Sequence, residues 1–129
     1  MKTLSSLLLL TMLLFACDKP IESDIQFVDL SIVQTTTPKT TTQNAGITSS
    51  IKVTGSDLCY NFAYFTVNNQ HFVVDIHAIG TYPTKPTACA QAFYYKETTL
   101  SVPTTASGQY VLRFYNGSQL FKSDTVQVN

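Results

Sequence analysis

The densest run of side chains able to do chemistry is His71-Phe72-Val73-Val74-Asp75-Ile76-His77. Two imidazoles and a carboxylate form a donor set suited to zinc or copper. On an extended strand His71, Asp75 and His77 share one face, because all three fall at odd positions. Their spacing argues against a single ion, however. Residues two apart stand roughly 7 Å from each other and residues four apart about twice that, so one straight strand cannot converge three donors. No metal or other cofactor is expected, and these three are the only metal candidates. Catalytic patterns are absent as well: there is no Gly-x-Ser-x-Gly elbow, His-Glu-x-x-His helix, phosphate-binding glycine loop or cysteine-histidine nucleophile. A non-enzymatic role is expected.

Aromatic rings offer a second chemistry. Phe62, Tyr64, Phe65, Phe93, Tyr94, Tyr95, Tyr110, Phe114, Tyr115 and Phe121 supply enough surface for a carbohydrate platform or a protein interface. On alternating strands about half of them must fill the core. Tyr82, Tyr94 and Tyr115 are the candidates for an exposed ligand patch. Charge excludes another class of partner: 8 basic residues balance 8 acidic ones with no basic cluster to neutralise phosphates, so nucleic acid is not expected as a ligand.

Several elements must position these groups. Met1-Lys2 opens the chain with positive charge, and Leu7 to Phe15 forms an apolar run about half as long as the roughly 20 residues that span a bilayer as a helix. This is the pattern of an export signal, assigned to residues 1–16. Leu14-Phe15-Ala16-Cys17 resembles a bacterial lipobox, in which a small residue precedes the cysteine that becomes lipidated. Phe15 departs from the small or branched residue usual at its place. The resemblance implies lipidation at Cys17, a tether over residues 17–24, and a protein held on its membrane by two or three acyl chains at about 0.8 kcal/mol per buried methylene. Asp18 directly after the cysteine resembles an inner-membrane retention signal of some Gram-negative bacteria. Cys-Asp-Lys-Pro is similar to the start of many Bacteroidota-type surface lipoproteins; this second resemblance is favoured and implies the outer membrane and its exposed face. With Cys17 assigned to lipid, Cys59 and Cys89 remain as a natural disulfide pair in an oxidising compartment.

Residues 25–129 are read as one domain. Only 12% of the chain is charged, about half the usual ~25%, while threonine, serine, tyrosine and phenylalanine are abundant, a bias towards pleated, half-buried surfaces. Strands are expected at Ile25–Val33, Ile47–Val53, Leu58–Val67, His71–Ile79, Cys89–Lys96, Thr98–Val102, Gln109–Tyr115 and Gln119–Val128. Asn68-Asn69 and Asn116-Gly117 read as tight hairpin turns. Gln34 to Asn44 reads as an extended loop, with a glycosylated threonine stalk as the sharper alternative, and Gly80 to Thr87 as a proline-bearing loop.

Ser107-Gly108-Gln109-Tyr110-Val111-Leu112 resembles the penultimate strand of an immunoglobulin-like sandwich. Tyr110 stands at the position of a tyrosine corner, with its ring inside and its hydroxyl bonded to upstream backbone. Leu112 replaces the antibody-type cysteine, and the chain has no tryptophan. The resemblance implies an all-β fold, an immunoglobulin-like antiparallel β-sandwich of seven or eight strands. Asp124-Thr125-Val126 is similar to the O-glycosylation acceptor of Bacteroidota-type exported proteins, which implies Thr125 as a modification site. The function expected is a membrane-anchored, non-catalytic envelope module that binds a protein or glycan. A structural subunit of an envelope complex and a small inhibitor of a secreted protease are the alternatives.

Overall fold

The computed structural model describes residues 24–86 and 88–129. The signal assigned to 1–16, the lipidation site Cys17 and all of the tether but Asp24 lie outside the described residues. Among those described there is no helix, and eight strands form: β1 (Ile25–Thr36), β2 (Thr40–Thr41), β3 (Ile47–Gly55), β4 (Asn61–Gln70), β5 (Val73–Pro83), β6 (Tyr94–Val102), β7 (Gly108–Asn116) and β8 (Gln119–Val128).

Alternation explains why these segments are strands and which way they face. In β3, Ile47, Ser49, Ile51, Val53 and Gly55 are buried while Thr48, Ser50, Lys52 and Thr54 point away. Val74, Ile76 and Ala78 do the same for β5, Tyr110, Leu112 and Phe114 for β7, and Val126 and Val128 for β8. With Leu30 and Ile32 of β1 they make one core, each large side chain contributing about 1.5–3 kcal/mol by leaving water. The single polar intruder from β3, Ser49, shares a 3.0 Å hydrogen bond with Thr37.

The strands run in the order β2-β8-β7-β5-β1-β3-β6, with β4 on the other side of β5. The expected all-β sandwich of eight strands is what forms, but its pairing is mixed instead of wholly antiparallel. β5 runs parallel to β7, and β2 runs parallel to β8. Within the threonine run read as a loop, β1 extends to Thr36 and Thr40-Thr41 pairs with Gln127 and Val128. Other boundaries move too. Cys89 to Phe93 is loop, so the two strands expected between Cys89 and Val102 reduce to β6. β5 continues through Gly80 to Pro83, where Pro83 ends the ladder opposite Ile25. The β4–β5 turn is His71-Phe72, with His71 at φ 59°, while Asn68 and Asn69 lie in the ladder opposite Asp75 and Val74. Phe72 sets this register: its ring stands edge-on to Tyr110 at 5.0 Å, and its carbonyl accepts the Val111 N–H at 2.7 Å.

β1 belongs to both layers. Ile25 to Leu30 pairs with β5, and Ser31 to Thr36 pairs with β3, with a register shift between Ile32 and Gln34. A strand that changes layers leaves backbone groups without ladder partners at the crossing. Asn116 supplies them. Its side-chain oxygen accepts the Ile32 N–H at 2.7 Å, and its amide nitrogen donates to the Ile32 carbonyl at 3.2 Å. Gly117 follows at φ 58° and turns the chain into β8, so Asn116 closes a hairpin and also clamps β1 across 84 positions. Asn116→Ala is expected to destabilise the domain by about 1–3 kcal/mol, the cost of leaving a buried backbone pair unmet. Asn116→Asp should retain the N–H contact and lose the carbonyl one. Urea unfolding of the three proteins checks this; an unchanged midpoint for Asn116→Ala would remove the clamp from the account.

Candidate functional site

Where β1 crosses, an open cleft of about 240 Å³ forms. Asp29 and Ser31 enter it from either side of the crossing, Asp29 opposite Ile79 of β5 and Ser31 opposite Thr54 of β3. Thr54, Gly55 and Ser56 continue the lining, and Tyr60 and Phe93 complete it. Asp29, Ser31 and Ser56 are exposed, and among the described residues their side chains make no hydrogen bond or ion pair with the protein. Among the described residues every buried side-chain nitrogen and oxygen has a hydrogen-bond partner. Phe93 is 64% exposed, so its ring is available to a ligand.

Tyr60 and Phe93 sit on two loops that the chain holds together. The Cys59–Cys89 disulfide joins them with Cα atoms 5.4 Å apart, as the sequence led us to expect. The Leu58 N–H donates to the Ala90 carbonyl at 3.2 Å, and the Cys59 N–H donates to Asp57 Oδ1 at 2.9 Å. The Tyr82 hydroxyl donates to Asp57 Oδ2 at 3.1 Å, and the Tyr82 and Tyr60 rings lie 4.6 Å apart. Closing a loop of 30 residues stabilises such a fold by about 3–4 kcal/mol on the chain-entropy model. Tyr60 packs closely on β3 because Gly55 has no side chain: a Cβ there would come within 2.6 Å of the Tyr60 Cβ. Asp57, Cys59 and Cys89 cluster closely enough to hold an ion, but both sulfurs are spent on each other and the carboxylate on its two donors.

The metal candidates are not brought together. Asp75 binds Arg113 through two contacts of 2.6 and 2.8 Å, and these hydrogen bonds raise the guanidinium pKa above its ordinary value. His77 stacks on Tyr115 at 5.1 Å, and His71 occupies the turn. The three candidate patch tyrosines are half-buried and separately engaged. The Tyr94 hydroxyl accepts the Phe62 N–H at 2.9 Å, Tyr82 holds Asp57, and Tyr115 stacks on His77. Thr125 is exposed on β8 opposite Val111. Tyr110 donates to the Ala106 carbonyl at 3.2 Å with its ring buried, the tyrosine-corner arrangement read from the sequence.

Other rings are exposed, among them Phe93 and Tyr95, 6.3 Å apart, and Phe27 and Tyr64, 5.8 Å apart. Phe27, Asp29 and Ser31 occupy the same face of β1. Sequence reasoning missed Asp29, Ser31, Thr54, Ser56 and Tyr60 because each is unremarkable alone. The available signal was parity: once Leu30 and Ile32 are core, Asp29 and Ser31 must face out.

The fold and its loops define a β-sandwich domain. A family model described as the ORF11 beta-sandwich domain matches residues 50–128, well over half of the chain, and the chain belongs to that family. The match runs from within β3 to the end of β8 and takes in Thr54, Tyr60 and Phe93. No curated protein and no solved structure matches the chain.

Partial burial of the Tyr82 hydroxyl, followed by its bond to Asp57, raises its pKa above 10. A raised pKa means the folded state holds the proton more tightly, so this contribution is complete below pH 10 and is lost as pH rises through the higher folded value. Wild type and Tyr82→Phe are therefore expected to differ most in stability at neutral pH and to converge above pH 10. Denaturation curves across that range decide it, and a constant difference would contradict the assignment.

Proposed function

We propose that the protein is a lipid-anchored envelope module that binds glycans, without catalysis, in the cleft where β1 changes layers. The carrying observation is the exposed Phe93 ring beside three exposed polar side chains with no partner among the described residues. A sugar presents C–H faces that pack on aromatic rings and hydroxyls that hydrogen-bond to carboxylates and hydroxyls. Phe93 and Tyr60 supply the first, and Asp29, Ser31 and Ser56 the second. The Asp29 carboxylate disfavours polyanionic chains, which selects neutral or amino sugars. An open cleft, with Phe27 further along β1, suits an extended oligosaccharide better than a small enclosed ligand.

The anchor reading rests on Leu14 to Cys17 together with the Cys59–Cys89 bridge, which fits an exported, oxidising environment. Attachment at the outer membrane with the sandwich outside the cell places the cleft where glycans are met.

The full chain displayed on an array of neutral, amino and acidic oligosaccharides is expected to bind neutral or amino members. Phe93→Ala should weaken that binding roughly tenfold, the equivalent of about 1.4 kcal/mol of lost ring contact. No binding to any member, or binding indifferent to Phe93, would sink the glycan reading. Independently, Cys17→Ser is expected to move the protein from the membrane to the soluble fraction, and an intact-mass measurement should show acyl chains on wild type only. An unmodified Cys17 would refute the anchor.

A further inference from the structure

We propose that β4 pairs with β4 of a second copy, antiparallel about a two-fold axis at Val67, so that two sandwiches share one continuous sheet. β4 has a single ladder partner among the described residues, β5 on one side. Its other edge presents backbone donors and acceptors, which proteins ordinarily protect with lysine, proline or a bulge. Protection here stops early. The register shift between Phe62 and Tyr64, and the Tyr94 hydroxyl on the Phe62 N–H, blunt only the beginning of the strand. From Tyr64 to Gln70 the pairing with β5 is regular, and that stretch contains neither charge nor proline.

A second copy is favoured over a foreign peptide for two reasons. A two-fold axis opposes each residue to its own symmetry mate or a near neighbour, so any charge near the axis faces a like charge. Tyr64-Phe65-Thr66-Val67-Asn68-Asn69-Gln70 carries none, and it offers no charged pair by which to select another sequence. Val67 is also 42% exposed although its ladder partner Ile76 is fully buried. It lies on the core-facing side of the sheet, beyond the cover of the opposing layer. Pairing about Val67 sets two of these side chains together and extends the apolar face that Ile76 begins. The other long edge, β6, carries the adjacent charges Lys96 and Glu97, and serves as the comparison.

Full chain extracted from membranes into density-matched detergent should sediment as two chains. Val67→Lys, which opposes two charges at the axis, should sediment as one chain, and Thr99→Lys on β6 should remain two. Mild oxidation of Val67→Cys protein should yield a covalent dimer, and Thr99→Cys should not. A one-chain wild type at every soluble concentration overturns the proposal, as does crosslinking through position 99 but not 67. Glycan binding is read separately on the array, so failure of either idea leaves the other standing.

Discussion

The two hydrogen bonds between the Asn116 side chain and the Ile32 backbone are the constraint on which the architecture turns. A single strand that serves both layers ties them together through its own backbone, but it must expose a donor and an acceptor midway. A side-chain amide answers both at once, its oxygen accepting and its nitrogen donating. Because Asn116 also ends β7 at the turn into β8, the crossing of β1 and the last hairpin are set by the same residue. Leu30 and Ile32 can then both reach the core, one from each side of the passage.

The crossing has a consequence on the opposite surface. Asp29 and Ser31, successive outward residues of β1, are paired to different layers, and the cleft lies between them. The disulfide and Asp57 bring Tyr60 and Phe93 to its rim. Other polar side chains hold the fold: Asp75 pairs with Arg113, Asp124 with Lys122 at 3.1 Å, and Tyr82 with Asp57. The binding reading rests on the exposed Phe93 ring standing beside Asp29, Ser31 and Ser56 in one cleft.

Much of the fold was legible from short-range pattern. The inward residues of β5, the Asn116-Gly117 turn and the place of Tyr110 follow from period-two alternation and turn chemistry, which are local. The pairing of Cys59 with Cys89 followed once Cys17 was set aside. What escaped depended on distant contacts. Asn68-Asn69 looked like the better turn, yet with Phe72 packed beside Tyr110 the turn falls three residues later, at His71-Phe72. Cys89 to Phe93 had the composition of a strand, but the bridge to Cys59 holds it as loop. The cleft was invisible because Ser31 and Phe93 are 62 positions apart and meet only through β1 and the disulfide. The tyrosines chosen for a patch had the right chemistry and the wrong surroundings, since register, not residue type, decides which ring faces out.

The central claim is that the face at the β1 crossing receives an oligosaccharide. Amide chemical-shift mapping of the full chain in detergent, titrated with the tightest member of the array, tests it most directly. The account predicts shifts concentrated at Asp29, Ser31, Thr54, Ser56, Tyr60 and Phe93, with the β7–β8 surface around Thr125 undisturbed. Shifts centred on that surface, with the crossing silent, would contradict it.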